Sequence, residues 1–145
     1  MAIAVVAMVC VAGIAVGQSA GYPEAENPFQ QEFDYAIGEA LEHRVEIDGI
    51  RWSRVAILPR SDLDYPPTQP VPVTVEEDLQ NTSGSADVVL IILFEDGNGT
   101  ALDRLELGAI KIGRERPREA VQKHKITASV LDATRKVYLF LEVSR

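Results

Sequence analysis

The stretch from Ala86 to Leu107 constrains the chain more than any other. It reads Ala-Asp-Val-Val-Leu-Ile-Ile-Leu-Phe, then Glu-Asp-Gly-Asn-Gly-Thr, then Ala-Leu-Asp-Arg-Leu-Glu-Leu. A run of β-branched and large apolar residues, a turn rich in Gly and Asn, and a second apolar limb form a β-hairpin signal. Val88 to Phe94 is apolar at both parities, so the strand is expected to be flanked by others inside a sheet. That places the centre of a small β-sandwich here.

Further strand signals surround it. Arg44-Val45-Glu46-Ile47 and Ile50-Arg51-Trp52-Ser53 flank Asp48-Gly49, a residue pair that favours a two-residue turn. In that register Ile47 faces Ile50 and Val45 faces Trp52, which gives one apolar face and makes the lone tryptophan a core residue. The apolar parity then shifts to Val55 and Ile57, and such a shift marks a bulge. Val71, Val73 and Val75 alternate with polar residues up to Gln80, as in a half-buried strand. Leu102, Leu105 and Leu107 begin the return from the central strand, and Ile110 with Ile112 makes a short one. Val121 to Val130 reads as a further strand. Val137, Leu139, Leu141 and Val143 close the chain, with Tyr138 and Phe140 on the opposite face, where they would cover a second layer of core. Many short strands separated by turns predict an all-β antiparallel sandwich.

The N-terminal region reads differently. Residues 1–17 hold no charge and end in Ala15-Val16-Gly17, the pattern of a secretory signal peptide, or of a membrane anchor if it is not cleaved. Export would leave the protein secreted or periplasmic. The only cysteine, Cys10, lies in this run, so a chain cleaved after Gly17 has neither disulfide nor thiol chemistry. Residues 18–42 read as a polar leader followed by an amphipathic helix. Asn27 can cap it, Pro28 suits its first turn, and Phe29, Phe33, Ala36, Ile37, Ala40 and Leu41 form a stripe at 3–4-residue spacing. Gly38 is the weak point of that helix. The sandwich is then expected over residues 43–145.

Charge narrows the function classes. The net charge is −8, which disfavours binding to nucleic acid or to an anionic bilayer, since both require a positive field. No membrane insertion is expected beyond the N-terminal segment. The charge is divided unevenly: residues 18–110 hold 18 acids and 5 bases, whereas residues 111–145 hold 4 acids and 9 bases. Lys111, Arg114, Arg116, Arg118, Lys123 and Lys125 form the one basic patch. No aromatics interleave it, so it suits an acidic partner or an anionic envelope polymer rather than stacked bases.

Motifs for chemistry are weak. His43 and His124 are far apart, no serine sits in a nucleophile elbow, and the usual zinc ligand set is missing. His43 is expected at the C-terminal end of the acidic helix, and His124 at an exposed strand position between two lysines. Asp96-Gly97-Asn98-Gly99-Thr100 starts like a calcium loop, but Ala101 and Leu107 occupy the positions that need Gly and a bidentate Glu. The segment therefore reads as a turn. Asp62 and Asp64, in the proline-rich loop from Ser61 to Pro72, supply only part of a calcium shell. Asn81 and Asn98 both stand in glycosylation patterns. No cofactor is expected.

Leu79-Gln80-Asn81-Thr82, then Val89-Leu90-Ile91-Ile92-Leu93-Phe94-Glu95-Asp96-Gly97-Asn98-Gly99, then Ala101-Leu102, resembles bacterial envelope modules. These are the immunoglobulin-like β-sandwiches of the FxLyD and CARDB type, and the resemblance spans about residues 50–145. It implies an adhesive, scaffolding or accessory module and carries over no catalytic residue. Taken together, the fold expected is an immunoglobulin-like antiparallel β-sandwich with an N-terminal amphipathic helix. The function expected is non-enzymatic binding of another protein or an envelope component, in an unknown oligomeric state. Phe29, Phe33, Arg114, Arg116, Arg118, Tyr138 and Phe140 are the candidate contact residues. The alternative is a calcium-assisted carbohydrate-binding module, for which Tyr138, Phe140 and Tyr65 are the only candidate aromatics.

Overall fold

The computed structural model describes residues 31–60 and 64–145. The expectations for the signal segment, the leader, the helix start at Asn27–Gln30, and Asp62 lie outside them. The described chain forms β1 (Glu32–Asp34), β2 (Ala40–Ile47), β3 (Ile50–Pro59), β4 (Pro70–Asn81), β5 (Ala86–Glu95), β6 (Ala101–Glu106), β7 (Ile110–Ile112), β8 (Pro117–Thr127), α1 (Ala128–Ala133) and β9 (Lys136–Ser144).

These strands make two antiparallel sheets. The first has the order β1-β9-β5-β6, with β7 also paired to β5; the second has the order β2-β3-β4-β8. β5 is central, as its two-sided apolarity requires: β9 lies along one edge and β6 and β7 share the other. Val88, Leu90, Ile92 and Phe94 point into the space between the sheets and are fully buried. Each such side chain contributes about 1.5–3 kcal/mol on leaving water. Ile91, Tyr138 and Phe140 pack together on the other face of the first sheet, so the aromatic pair of β9 covers a second, smaller core.

The β2–β3 hairpin has the register that its apolar residues dictate. Ile47 pairs with Ile50 and Val45 with Trp52. Asp48 (φ 47°) and Gly49 (φ 78°) both adopt left-handed backbone, as a two-residue turn between twisted strands demands. Trp52 is fully buried, and its indole N–H donates to the Arg54 carbonyl at 3.0 Å. The ladder slips between Trp52 and Arg54 on the β4 side and between Glu42 and Val45 on the β2 side. The bulge at Ser53 restores Val55 and Ile57 to the inward face.

Two local expectations are corrected. From Gln31 onward the predicted N-terminal helix is not helical: β1 pairs with β9, β2 pairs with β3, and the two are joined by a turn in which Gly38 has φ +92°. Phe33, Ile37 and Leu41 still pack on the core, but Phe33 and Leu41 do so from strands and Ile37 from the turn between them. Ladder pairing with distant strands, together with the same apolar burial, overrides a helical period weakened by a mid-segment glycine. The sandwich accordingly includes residues before 43, and His43 lies within β2 rather than at a helix end.

The second correction concerns Val121–Val130. The strand stops at Thr127, and Ala128–Ala133 forms a single helical segment that carries the chain from β8 to β9 on the other sheet. Thr127 gives α1 no side-chain cap. Instead the Ala128 and Ser129 amides donate to the Gln69 and Pro67 carbonyls at 3.0 and 2.9 Å. The proline-rich loop thus satisfies donors that a helix start leaves open. Such a partner is invisible to local periodicity.

Candidate interaction surface

β7, the loop after it and β8 gather the six cations of the sequence patch on one flank. Lys111, Arg114, Arg116, Arg118, Lys123 and Lys125 are all exposed. Arg114 meets its neighbour Glu115 at 3.8 Å with both side chains more than 70% exposed, a pair of little energetic weight. Arg118 donates to the Lys111 carbonyl at 2.6 Å, which holds the start of β8 against β7. Among the described residues, Lys111, Arg116, Lys123 and Lys125 form no ion pair. Six exposed cations thus lie along these elements of an acidic protein, with the exposed acids Glu115 and Glu119 among them and Asp87 across the ladder from Lys111.

Backbone order supports this flank. Asn81 ends β4 fully buried, with its amide donating to the Gly84 and Ile112 carbonyls at 2.9 and 3.2 Å and its side-chain oxygen accepting from the Ser83 amide at 2.9 Å. This one side chain ties the β4–β5 corner to β7. It also places Asn81 where a glycan has no access, whereas Asn98 is exposed. Higher on the flank, Gln122 of β8 accepts from the Gly108 amide at 2.8 Å and donates to the Gly108 carbonyl at 2.9 Å. His124 Nε2 lies 3.3 Å from the same glutamine oxygen, so this histidine is half-buried rather than freely exposed.

The candidate contact residues divide clearly. Arg114, Arg116 and Arg118 share the flank. Phe33 sits on the opposite side of the sandwich, half-buried, with its ring 5.4 Å from His43. Tyr138 and Phe140 are 0% and 5% exposed, so neither presents a ring to a sugar. Phe29 lies outside the described residues. Asp96 Oδ1 accepts the Asn98 and Thr100 amides at 2.8 and 3.0 Å, closing a turn on itself as its residue types imply. Among the described residues, no group of three His, Cys, Asp or Glu side chains is placed to hold a metal ion.

Three features escaped sequence reasoning. A cleft of about 670 Å³ opens at one end of the sandwich, lined in part by Tyr35, Arg60, Tyr65, Asp132 and Arg135. Several of its polar groups are engaged by the fold. The Tyr35 hydroxyl donates to the Glu39 carbonyl at 2.8 Å and accepts from the Ile57 amide at 2.9 Å, and burial pushes its pKa up. Arg135 donates to the Asp132 and Thr134 carbonyls, both at 2.7 Å. The second feature is His43, set between Phe33 and Trp52 (ring centroids 5.1 Å apart for the latter), with both ring nitrogens buried and without hydrogen-bond partners. Burial holds its pKa down at about 4. The third is Glu77, which is 1% exposed on the inward face of β4. It stands opposite Val55 on β3 and Ala120 on β8, and neither carboxyl oxygen has a hydrogen-bond partner. Burial, reinforced by Asp78 and Glu76, pushes its pKa up to about 8. The burial at each of these places comes from strands distant in sequence, so no local pattern signals it. No protein-family profile matches this chain, and no curated protein sequence matches it.

Proposed function

We propose that this chain is a non-enzymatic, exported β-sandwich module that binds another protein or a component of the cell envelope through its basic flank. The observation that carries the reading is the gathering of six exposed cations on β7, β8 and the loop between them, in a protein of net charge −8. Such a field draws an acidic partner and orients its approach. The apolar run at residues 1–17 supports export. The resemblance of residues 50–145 to immunoglobulin-like envelope modules supports an accessory or adhesive role. The described strands form two antiparallel sheets, the layer arrangement such modules have, with a strand order of their own. β2, β3 and β4 run as a meander in one sheet, whereas the immunoglobulin arrangement, with A, B, E and D in one sheet and C, F and G in the other, keeps no three consecutive strands together.

The test is retention of the purified chain on an immobilised anionic polymer, polyglutamate, alongside capture of partners from envelope extract. Replacing Arg114, Arg116 and Arg118 together by Ala is expected to abolish both. Retention that survives this replacement removes the flank from the function.

A further inference from the structure

The sandwich has several strands with an open side, and they differ in how well they could accept another strand. β1 is three residues long and β6 is six. β2 is broken by the register slip between Glu42 and Val45, and the β5–β6 ladder slips between Phe94 and Glu95. β8 is the exception. It runs for eleven residues, ends its sheet, and pairs with β4 from Pro70–Thr127 to Gln80–Pro117 without a slip. Natural sheets blunt long regular edges because unpaired N–H and C=O groups invite another chain.

The side chains beside this edge do not form a simple guard. Val121 is 64% exposed, the one large hydrophobic residue so exposed among the described residues. Alternation along a strand puts Lys123 and Lys125 on the same face, and both are exposed and without ion pairs. Next to the edge lies a shallow groove of about 310 Å³, lined by Ala109, Ile110, Arg118, Glu119, Ala120 and Val121, among others. The Gln122–Gly108 double hydrogen bond fixes the loop that forms its far wall.

We propose that the free edge of β8 takes up an extended acidic peptide of a partner protein as an added strand. Carboxylates at alternate positions of that peptide face Lys123 and Lys125, and the aliphatic side chains between them point the opposite way, towards the groove wall at Ala109, Ile110 and Ala120. Backbone hydrogen bonds to the edge supply affinity, and the alternate side chains supply selectivity. The proposal rests on the basic flank being the interaction surface. It goes further by naming the conformation and the side-chain period of the ligand. Charge complementarity selects the occupant, since a neutral strand leaves two lysines unmatched and a basic one is repelled.

The probe is a short, blocked peptide alternating glutamate with valine, compared with one of the same composition whose glutamates are clustered. Both are titrated into the full chain, with amide hydrogen exchange followed across β8. The alternating peptide is expected to bind about tenfold more tightly than the clustered one and to protect β8 amides. Lys123→Glu with Lys125→Glu is expected to lose that binding and to gain binding of a peptide alternating lysine with valine, which also shows that the variant is folded. Equal affinity of the two acidic peptides, or binding without protection at β8, overturns strand addition. If polyglutamate retention still depends on Arg114, Arg116 and Arg118 in that case, the basic flank stands without it. If no anionic probe binds, both readings fall. A chain that leaves the peptides unbound but forms dimers dispersed by Val121→Lys assigns the edge to a second copy, and that too overturns the proposal.

Discussion

The two long sides of the sandwich meet solvent in opposite ways. Along the β1–β2 side, Phe33, His43 and Trp52 pack in tilted and edge-to-face contacts across the gap between the sheets and close it with aromatic surface. Along the β7–β8 side, closure is polar: Asn81 and Gln122 bond to backbone across the gap, and cations and one exposed valine are left outside. Each side also has an ionisable group buried without a hydrogen bond, His43 on the first and Glu77 one strand in from the second. The aromatic side suits core, and the polar side leaves groups free for a partner.

The largest effect expected on this contrast comes from Trp52→Ala. It removes a fully buried indole from the aromatic side and should cost about 3–5 kcal/mol, read as a shift in the urea midpoint. A much smaller loss would show that the aromatic cluster does not hold that side closed.

Next come the two buried titratable groups, whose signs are opposite. His43 has a folded pKa of about 4, below its ordinary 6.5. Its contribution is complete above about 6.5 and is lost as pH falls towards 4. Glu77 has a folded pKa of about 8, above its ordinary 4.5. Its contribution is complete below about 4.5 and is lost as pH rises towards 8. Each slope is about 1.4 kcal/mol per pH unit while it operates, so between about pH 4.5 and 6.5 the two cancel. Relative to the parent chain, Glu77→Gln should make stability rise with pH across that window and flatten the decline towards pH 8. His43→Phe should instead make stability fall with pH across the same window. Denaturation at several pH values checks both, and unchanged slopes would place both groups in water.

Asn81→Ala probes the polar side. It leaves the Gly84 and Ile112 carbonyls without their side-chain donor inside the protein, at an expected cost of about 2 kcal/mol. The smallest effect is expected from joint replacement of Arg114, Arg116 and Arg118 by Ala. These exposed side chains should change stability by no more than about 1 kcal/mol, most of it the Arg118 hydrogen bond to the Lys111 carbonyl, while removing retention on polyglutamate. A larger loss of stability would recast the flank as part of the fold.

Much of the sandwich is legible in local pattern. Ile47–Ile50, Val45–Trp52 and the Ser53 bulge follow from alternation around Asp48-Gly49, because a tight turn fixes register. Tyr138 and Phe140 are placed by the same parity, opposite the inward-facing Val137, Leu139 and Leu141. The segment from Gln31 to Leu41 misleads because Phe33, Ile37 and Leu41 satisfy a helical period and also serve two strands and the turn that joins them. The choice is made by β9 and β3, strands from elsewhere in the chain. Ala128–Val130 misleads for a similar reason, since the carbonyls that receive its first amides come from residues 67 and 69. The basic patch is legible as a list of residues. Its groove and its unslipped edge are not.

The sequence by itself determined that the chain is built from antiparallel strands, where its central strand lies, and that its cations concentrate after residue 110. Those properties depend on neighbouring residues, through alternation, turn chemistry and composition. Only the tertiary structure decided that β8 ends its sheet beside a groove and that the ring nitrogens of His43 and the carboxyl group of Glu77 are cut off from water. It likewise decided that Asn81 is a buried tie rather than a surface asparagine. Desolvation and edge exposure depend on which distant strands lie alongside, and no stretch of neighbouring residues encodes them.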